Sequence, residues 1–104
     1  LREDEKARLQ KDLGMSKFMI LRNHGLLTVA PTIADAFLNM YTLQRACEIQ
    51  IRALSGNREM APIPGDIVGT IKQQASKVTK GKGGNLAWPG LLRKLDRTDS
   101  SFRN

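Results

Sequence analysis

The chain has 104 residues, 40% hydrophobic and 26% charged, so it is one domain at most, and this balance excludes disordered, collagen-like and membrane-spanning classes. Seventeen Lys and Arg against ten Asp and Glu give a net charge of +7. The longest apolar run, Phe18 to Leu21, falls far short of the roughly 20 residues a membrane span needs, so no membrane partner is expected. Leu1-Arg2-Glu3-Asp4-Glu5 carries no secretory-type apolar segment, and a lone cysteine fits a reducing, cytoplasmic setting.

In chain order, residues 2–13 place acids in a first turn and Lys11 near a last, which suits a helix dipole, and Gly14 supplies a stop. Apolar side chains there are limited to Leu1, Ala7, Leu9 and Leu13, so this helix reads as an exposed connector. Next, Phe18-Met19-Ile20-Leu21 and Leu26-Leu27-Thr28-Val29 read as two strands. The turn between them is centred on Asn23-His24-Gly25, where Asn and Gly tolerate positive φ cheaply.

Thr32 followed by Asp35 resembles a capping box and opens a long helix. Ile33, Phe37, Met40, Leu43, Cys47, Ile51 and Leu54 step by 4, 3, 3, 4, 4 and 3, forming one apolar stripe that ends at Ser55-Gly56. Such a helix is roughly 35 Å long at 1.5 Å per residue, enough to back a whole sheet. A second apolar set, Ala36, Tyr41, Ala46 and Ile49, favours a helix covered on more than one face, by packing or by another subunit. Pro62 and Pro64 break the pattern, and Asp66 is placed to cap a helix running to about Val78. Lys80 to Asn85 reads as a flexible loop, and Trp88-Pro89 as the opening of a last short helix before a polar tail to Asn104. Two short strands leave a hairpin with unpaired edges, which is marginal in water, so further strands must come from elsewhere.

The basic excess sits late in the chain: four basic and four acidic residues in 1–13, five and four in 14–66, eight and two in 67–104. Clustered lysine raises nucleic acid as a partner through phosphate neutralisation. Lys72, Lys77, Lys80 and Lys82 have no interleaved aromatic for base stacking and no recognised motif around them, so a solvated basic face is the preferred reading. No serine-nucleophile elbow, Cys-x-x-Cys pair, His-Glu-x-x-His or phosphate loop occurs. The conspicuous group is His24, the single histidine. From the residues alone, a turn histidine faces solvent or makes a local hydrogen bond, and one imidazole cannot by itself hold zinc.

Residues 18–53, with RNHGLLTV and RACEIQ as a specific pairing, resemble the class II aldolase/adducin family, and WPGLLRKLDRTDSSFRN resembles the tail of its adducin-like bacterial members. The resemblance implies an α/β chain forming part of a three-layer α-β-α domain with a mainly antiparallel sheet. It makes residues 1–104 the C-terminal portion of that domain. It also implies that His24 is one of three histidines holding a divalent metal, usually zinc, with a His-x-His pair upstream of this chain. Activity would then be that of an aldolase-type lyase on a small sugar-phosphate-like substrate, zinc stabilising an enediolate. No catalytic acid/base and no organic cofactor site is expected within the chain. Family members form homo-oligomers, commonly tetramers. The alternative is a non-enzymatic, adducin-like module binding cytoskeletal partners, and a basic nucleic-acid binder stands third.

Other marked residues take plainer readings. Cys47 reads as a small buried hydrophobe, Arg45 and Glu48 as surface or subunit ion pairs, and Trp88 as an anchor for the last helix. Tyr41 reads as core or interface. Arg22 is equally suited to an anionic substrate or a local pair. Ala30 departs from the family's usual glycine, so a positive φ there would impose strain.

Overall fold

The computed structural model describes residues 2–103; Leu1, counted above among the first helix's apolar side chains, and Asn104, which ends the tail, lie outside the described residues. The order is α1 (Glu3–Leu13), β1 (Phe18–Leu21), β2 (Gly25–Thr28), α2 (Ile33–Ser55), α3 (Gly65–Thr79), α4 (Gly83–Thr98) and a closing 3₁₀ turn, Ser100–Arg103. The strands are antiparallel with Phe18 opposite Thr28, Met19 opposite Leu27, Ile20 opposite Leu26 and Leu21 opposite Gly25. They form a two-stranded sheet among the described residues, and its outward Ile20 is 69% exposed.

The caps on α2 explain where it starts. Thr32 holds an extended backbone, and its hydroxyl accepts the Asp35 N–H at 3.1 Å while donating to the Asp35 carboxylate at 2.9 Å. The side chain of Thr28 donates to the Ala36 carbonyl at 3.0 Å, tying β2 to the first turns of the helix. Of the predicted stripe, Met40, Leu43 and Cys47 are half-buried, whereas Ile33, Ile51 and Leu54 at its ends are 78%, 67% and 55% exposed. The helix is therefore covered at its middle and bare at both ends. No apolar side chain among the described residues is fully buried.

The structure differs most from expectation at residues 83–89. Of the stretch read as a flexible loop, residues 80–82 are the turn between α3 and α4, but Gly83 to Asn85 already belong to α4, which begins at Gly83 and carries Pro89 inside it. Gly84, the buried residue of this helix, lies against the first turn of α2, and its N–H donates to the Asp35 carboxylate at 3.1 Å. A Cβ on Gly84 would sit 2.2 Å from that carboxylate oxygen and 2.6 Å from the Asp35 nitrogen, so glycine serves here to let two helices touch. Pro89 forgoes the helical bond to the Asn85 carbonyl, and Trp88 beside it meets Phe37 edge-to-face at a 5.6 Å centroid separation.

Smaller differences have local causes. α1 opens one residue later than expected because extended Arg2 caps it, its backbone N–H meeting the Glu5 carboxylate at 3.3 Å. The paired stretch of β2 is shifted by one toward Gly25, although Val29 still donates to the Lys17 carbonyl at 2.9 Å. α3 starts after Pro64 with Asp66 within its first turn rather than capping it, and it ends where Lys80 turns left-handed at φ 51°. Ala30 does not adopt positive φ, so the anticipated strain is absent.

Candidate metal-binding turn

The strand register leaves Arg22, Asn23 and His24 as a three-residue connection between Leu21 and Gly25. His24 N–H donates to the Leu21 carbonyl at 3.2 Å, closing the turn. Asn23 takes φ 62° and Gly25 φ 143°, the backbone reversal these residue types allow at low cost. The turn is thus fastened from both strands, and the imidazole it carries is exposed.

The ring's orientation decides its chemistry. Nδ1 of His24 lies 3.0 Å from the Arg22 carbonyl oxygen. A carbonyl can only accept, so Nδ1–H donates, and the neutral ring keeps its lone pair on Nε2. Metal-binding histidines are commonly arranged in this manner, one nitrogen donating to backbone and the other left to ligate. The turn stands at the rim of an open cleft of about 590 Å³ between α1 and the hairpin, lined by Arg22, Arg8, Glu5 and Asp12 among others, with Met19 and Leu27 on its apolar side.

Among the described residues no group of three His, Cys, Asp or Glu side chains converges as a metal site. The donor chemistry of His24 fits one ligand position for zinc, and the remaining ligands of a catalytic site, which needs about three, are not supplied by these residues. Arg22 enters the same cleft as His24 and makes no ion pair among the described residues.

The other marked residues fall as follows. Cys47 is half-buried within the α2 stripe. Arg45 and Glu48 pair with each other at 3.2 Å one turn apart on α2. Tyr41 is 54% exposed with the Arg45 guanidinium 5.5 Å from its ring centre, so it is not a core residue. Trp88 anchors α4 on α2 as anticipated. Residue patterns alone missed Glu5, Arg8 and Asp12 as cleft residues; they sit on a helix read as a connector, and no short-range signal connects them to His24. No helix among the described residues is long and apolar enough to cross a membrane.

Comparison with known proteins agrees with the residues that carry the resemblance. The model of the Class II Aldolase and Adducin N-terminal domain matches residues 2–51, which include the hairpin and most of α2. A Pseudomonas aeruginosa protein provisionally named aldolase class 2 is 54% identical, covering 99% of this chain and 41% of its own length. Mouse gamma-adducin is 46% identical, covering 98% of this chain and 17% of its own length. A solved structure, an aldolase II superfamily protein from Pseudomonas syringae, superposes with a TM-score of 0.86 at 37% identity over 100% of this chain and 42% of that one. The chain spans about two fifths of the length of the bacterial relatives it matches. Its α/β fold is part of the class II aldolase-like architecture.

Proposed function

The chain belongs to the class II aldolase/adducin family, and from that premise we propose that it forms the C-terminal portion of one such domain in a metal-dependent, aldolase-type lyase. The substrate would be a small sugar-phosphate-like molecule, and His24 one ligand of the metal. The observation that carries this reading is the His24 Nδ1 contact with the Arg22 carbonyl, which leaves Nε2 free on a turn fastened by two strands.

Zinc, when bound beside His24, would supply Lewis-acid polarisation of a substrate carbonyl. This chain's residues have supporting tasks. His24 presents Nε2 with its tautomer set by backbone, so little reorganisation accompanies ligation. Arg22, two residues earlier in the same cleft, is placed to hold a substrate anion with its forked donors. Exposed Ile49, Ile51 and Leu54 on α2 support assembly as a homo-oligomer, a tetramer by family resemblance, and a cytoplasmic setting belongs to the same reading.

A second reading rests on the likeness to mouse gamma-adducin: a non-enzymatic binding module that keeps the turn without its chemistry. One experiment separates them. The intact protein is stripped with a chelator, reloaded with zinc, and assayed for aldol cleavage of ketose phosphates at each stage. Activity that leaves and returns with the metal supports the lyase; full activity in the stripped protein, or none across a ketose-phosphate panel with zinc bound, contradicts it.

A further inference from the structure

We infer that Asn23 is a positioning residue for the imidazole of His24: its left-handed backbone, rather than its side chain, fixes which ring nitrogen is free. The inference rests on the reading of His24 as a metal ligand and concerns how the chain prepares that ligand before a metal arrives.

Leu21 to His24 form a four-residue turn, with the His24 N–H donating to the Leu21 carbonyl at 3.2 Å. Arg22 and Asn23 are its two central residues. Asn23 has φ 62°, and Arg22 does not adopt positive φ. A negative first centre followed by a positive second is the type II pattern; type I has both negative, type I′ both positive, and type II′ the reverse order. Types I and II differ mainly in the peptide joining the two central residues: ψ of the first changes by about 150°, which swings its carbonyl from one side of the turn to the other. In this turn that carbonyl belongs to Arg22, and its oxygen is the one 3.0 Å from His24 Nδ1.

The sign of φ at residue 23 therefore decides where the Arg22 oxygen points, and that oxygen decides the tautomer. With the carbonyl beside Nδ1, the proton resides there and Nε2 keeps its lone pair. Were the turn to relax to type I, the oxygen would leave Nδ1, and the Nδ1–H form would lose the acceptor that selects it. Asparagine suits this task. It visits the left-handed region several-fold more readily than most non-glycine residues, whereas a β-branched residue there is an outlier. Asn23 is also exposed, so substitution changes backbone preference without opening a cavity.

The test is nitrogen-15 NMR of the His24 ring in the intact, metal-free protein at about pH 8, where a free imidazole is neutral, alongside the zinc affinity of the same variants. His24→Ala assigns the signals. Wild type should show the Nδ1–H form, and Asn23→Gly, which accepts positive φ freely, should keep it together with most of the zinc affinity. Asn23→Ala and Asn23→Val favour negative φ. Both should shift the neutral ring toward Nε2–H and weaken zinc about tenfold or more, the usual cost of losing a group that orients a metal-binding histidine. Should Asn23→Val fail to fold, Asn23→Ala decides. A merely structural role for Asn23 would lower Tm in the alanine and valine variants while leaving the tautomer and zinc affinity at wild-type values, and that result overturns the inference. So does a glycine variant that loses as much zinc affinity as the alanine variant, which would assign the role to the carboxamide. Equal zinc in wild type and His24→Ala is a different failure: it removes the metal reading and leaves the tautomer result as measured.

Discussion

The carboxylate of Asp35 accepts the backbone N–H of Gly84 at 3.1 Å across 49 residues of sequence, joining the first turn of α2 to the first turn of α4. Gly84→Ala places a Cβ 2.2 Å from that oxygen and 2.6 Å from the Asp35 backbone nitrogen, and backbone cannot move aside as a flexible side chain can. The expected cost is about 1–3 kcal/mol, the usual range for overpacking. Urea denaturation of the intact protein checks it; an unchanged midpoint would mean that α4 does not dock through this glycine.

Gly25→Ala tests the turn. Gly25 has open space around its Cβ position but a φ of 143°, so the penalty is conformational, about 1–3 kcal/mol. Because the same turn presents His24, zinc affinity should fall together with stability. Gly25→Ala with full stability and full zinc affinity would show that the turn has an alternative backbone route.

Trp88→Ala removes the edge-to-face partner of Phe37 at the α2–α4 contact. A loss of about 2 kcal/mol is expected, below the usual large-to-small aromatic cost because the indole is only half-buried. Trp88→Phe should recover part of it. Thermal unfolding of the two variants side by side decides the matter, and equal Tm values for both would contradict an aromatic anchor.

The pairing of Arg103 with Asp96 pins the closing 3₁₀ turn against α4. The hydrogen bond from the Arg103 guanidinium holds the Asp96 carboxyl below the ordinary carboxylate range. A depressed carboxyl contributes stability that is present above its unfolded value, about 3.9, and is lost as pH falls through the lower folded value. NMR titration of Asp96 should therefore show a midpoint below that of a free aspartate, moving upward in Arg103→Gln. The pair is solvent-exposed, so its effect on global stability is small.

Local patterns made much of this fold legible, and the reasons are particular. The α2 helix announces itself through an unbroken 3.6-residue stripe and a Thr32–Asp35 cap, and its ends fall at Ile33 and Ser55 as read. The hairpin is legible because Asn23 and Gly25, between two short apolar runs, are the residue types that tolerate the positive φ a tight reversal needs. Residues 83–89 were not, because Gly83-Gly84 carries the same letters whether it serves flexibility or close approach. The choice is made by a carboxylate far away in the chain. Likewise, His24 stands out as a lone turn histidine, but the freeing of Nε2 depends on a carbonyl position no spacing rule predicts. The α1 side of its cleft was illegible since Glu5, Arg8 and Asp12 read equally well as surface charges.

The role of His24 is tested most directly by elemental analysis of the intact protein purified in parallel as wild type and His24→Ala, with His24→Gln as a near-isosteric control. Wild type should retain zinc near one equivalent per chain, while both variants fall at least about tenfold in affinity yet keep the wild-type circular dichroism. Retained zinc should also decline as the buffer is acidified, since protons compete for Nε2. Equal zinc in all three proteins would remove His24 from the metal site, and with it the basis of the lyase proposal.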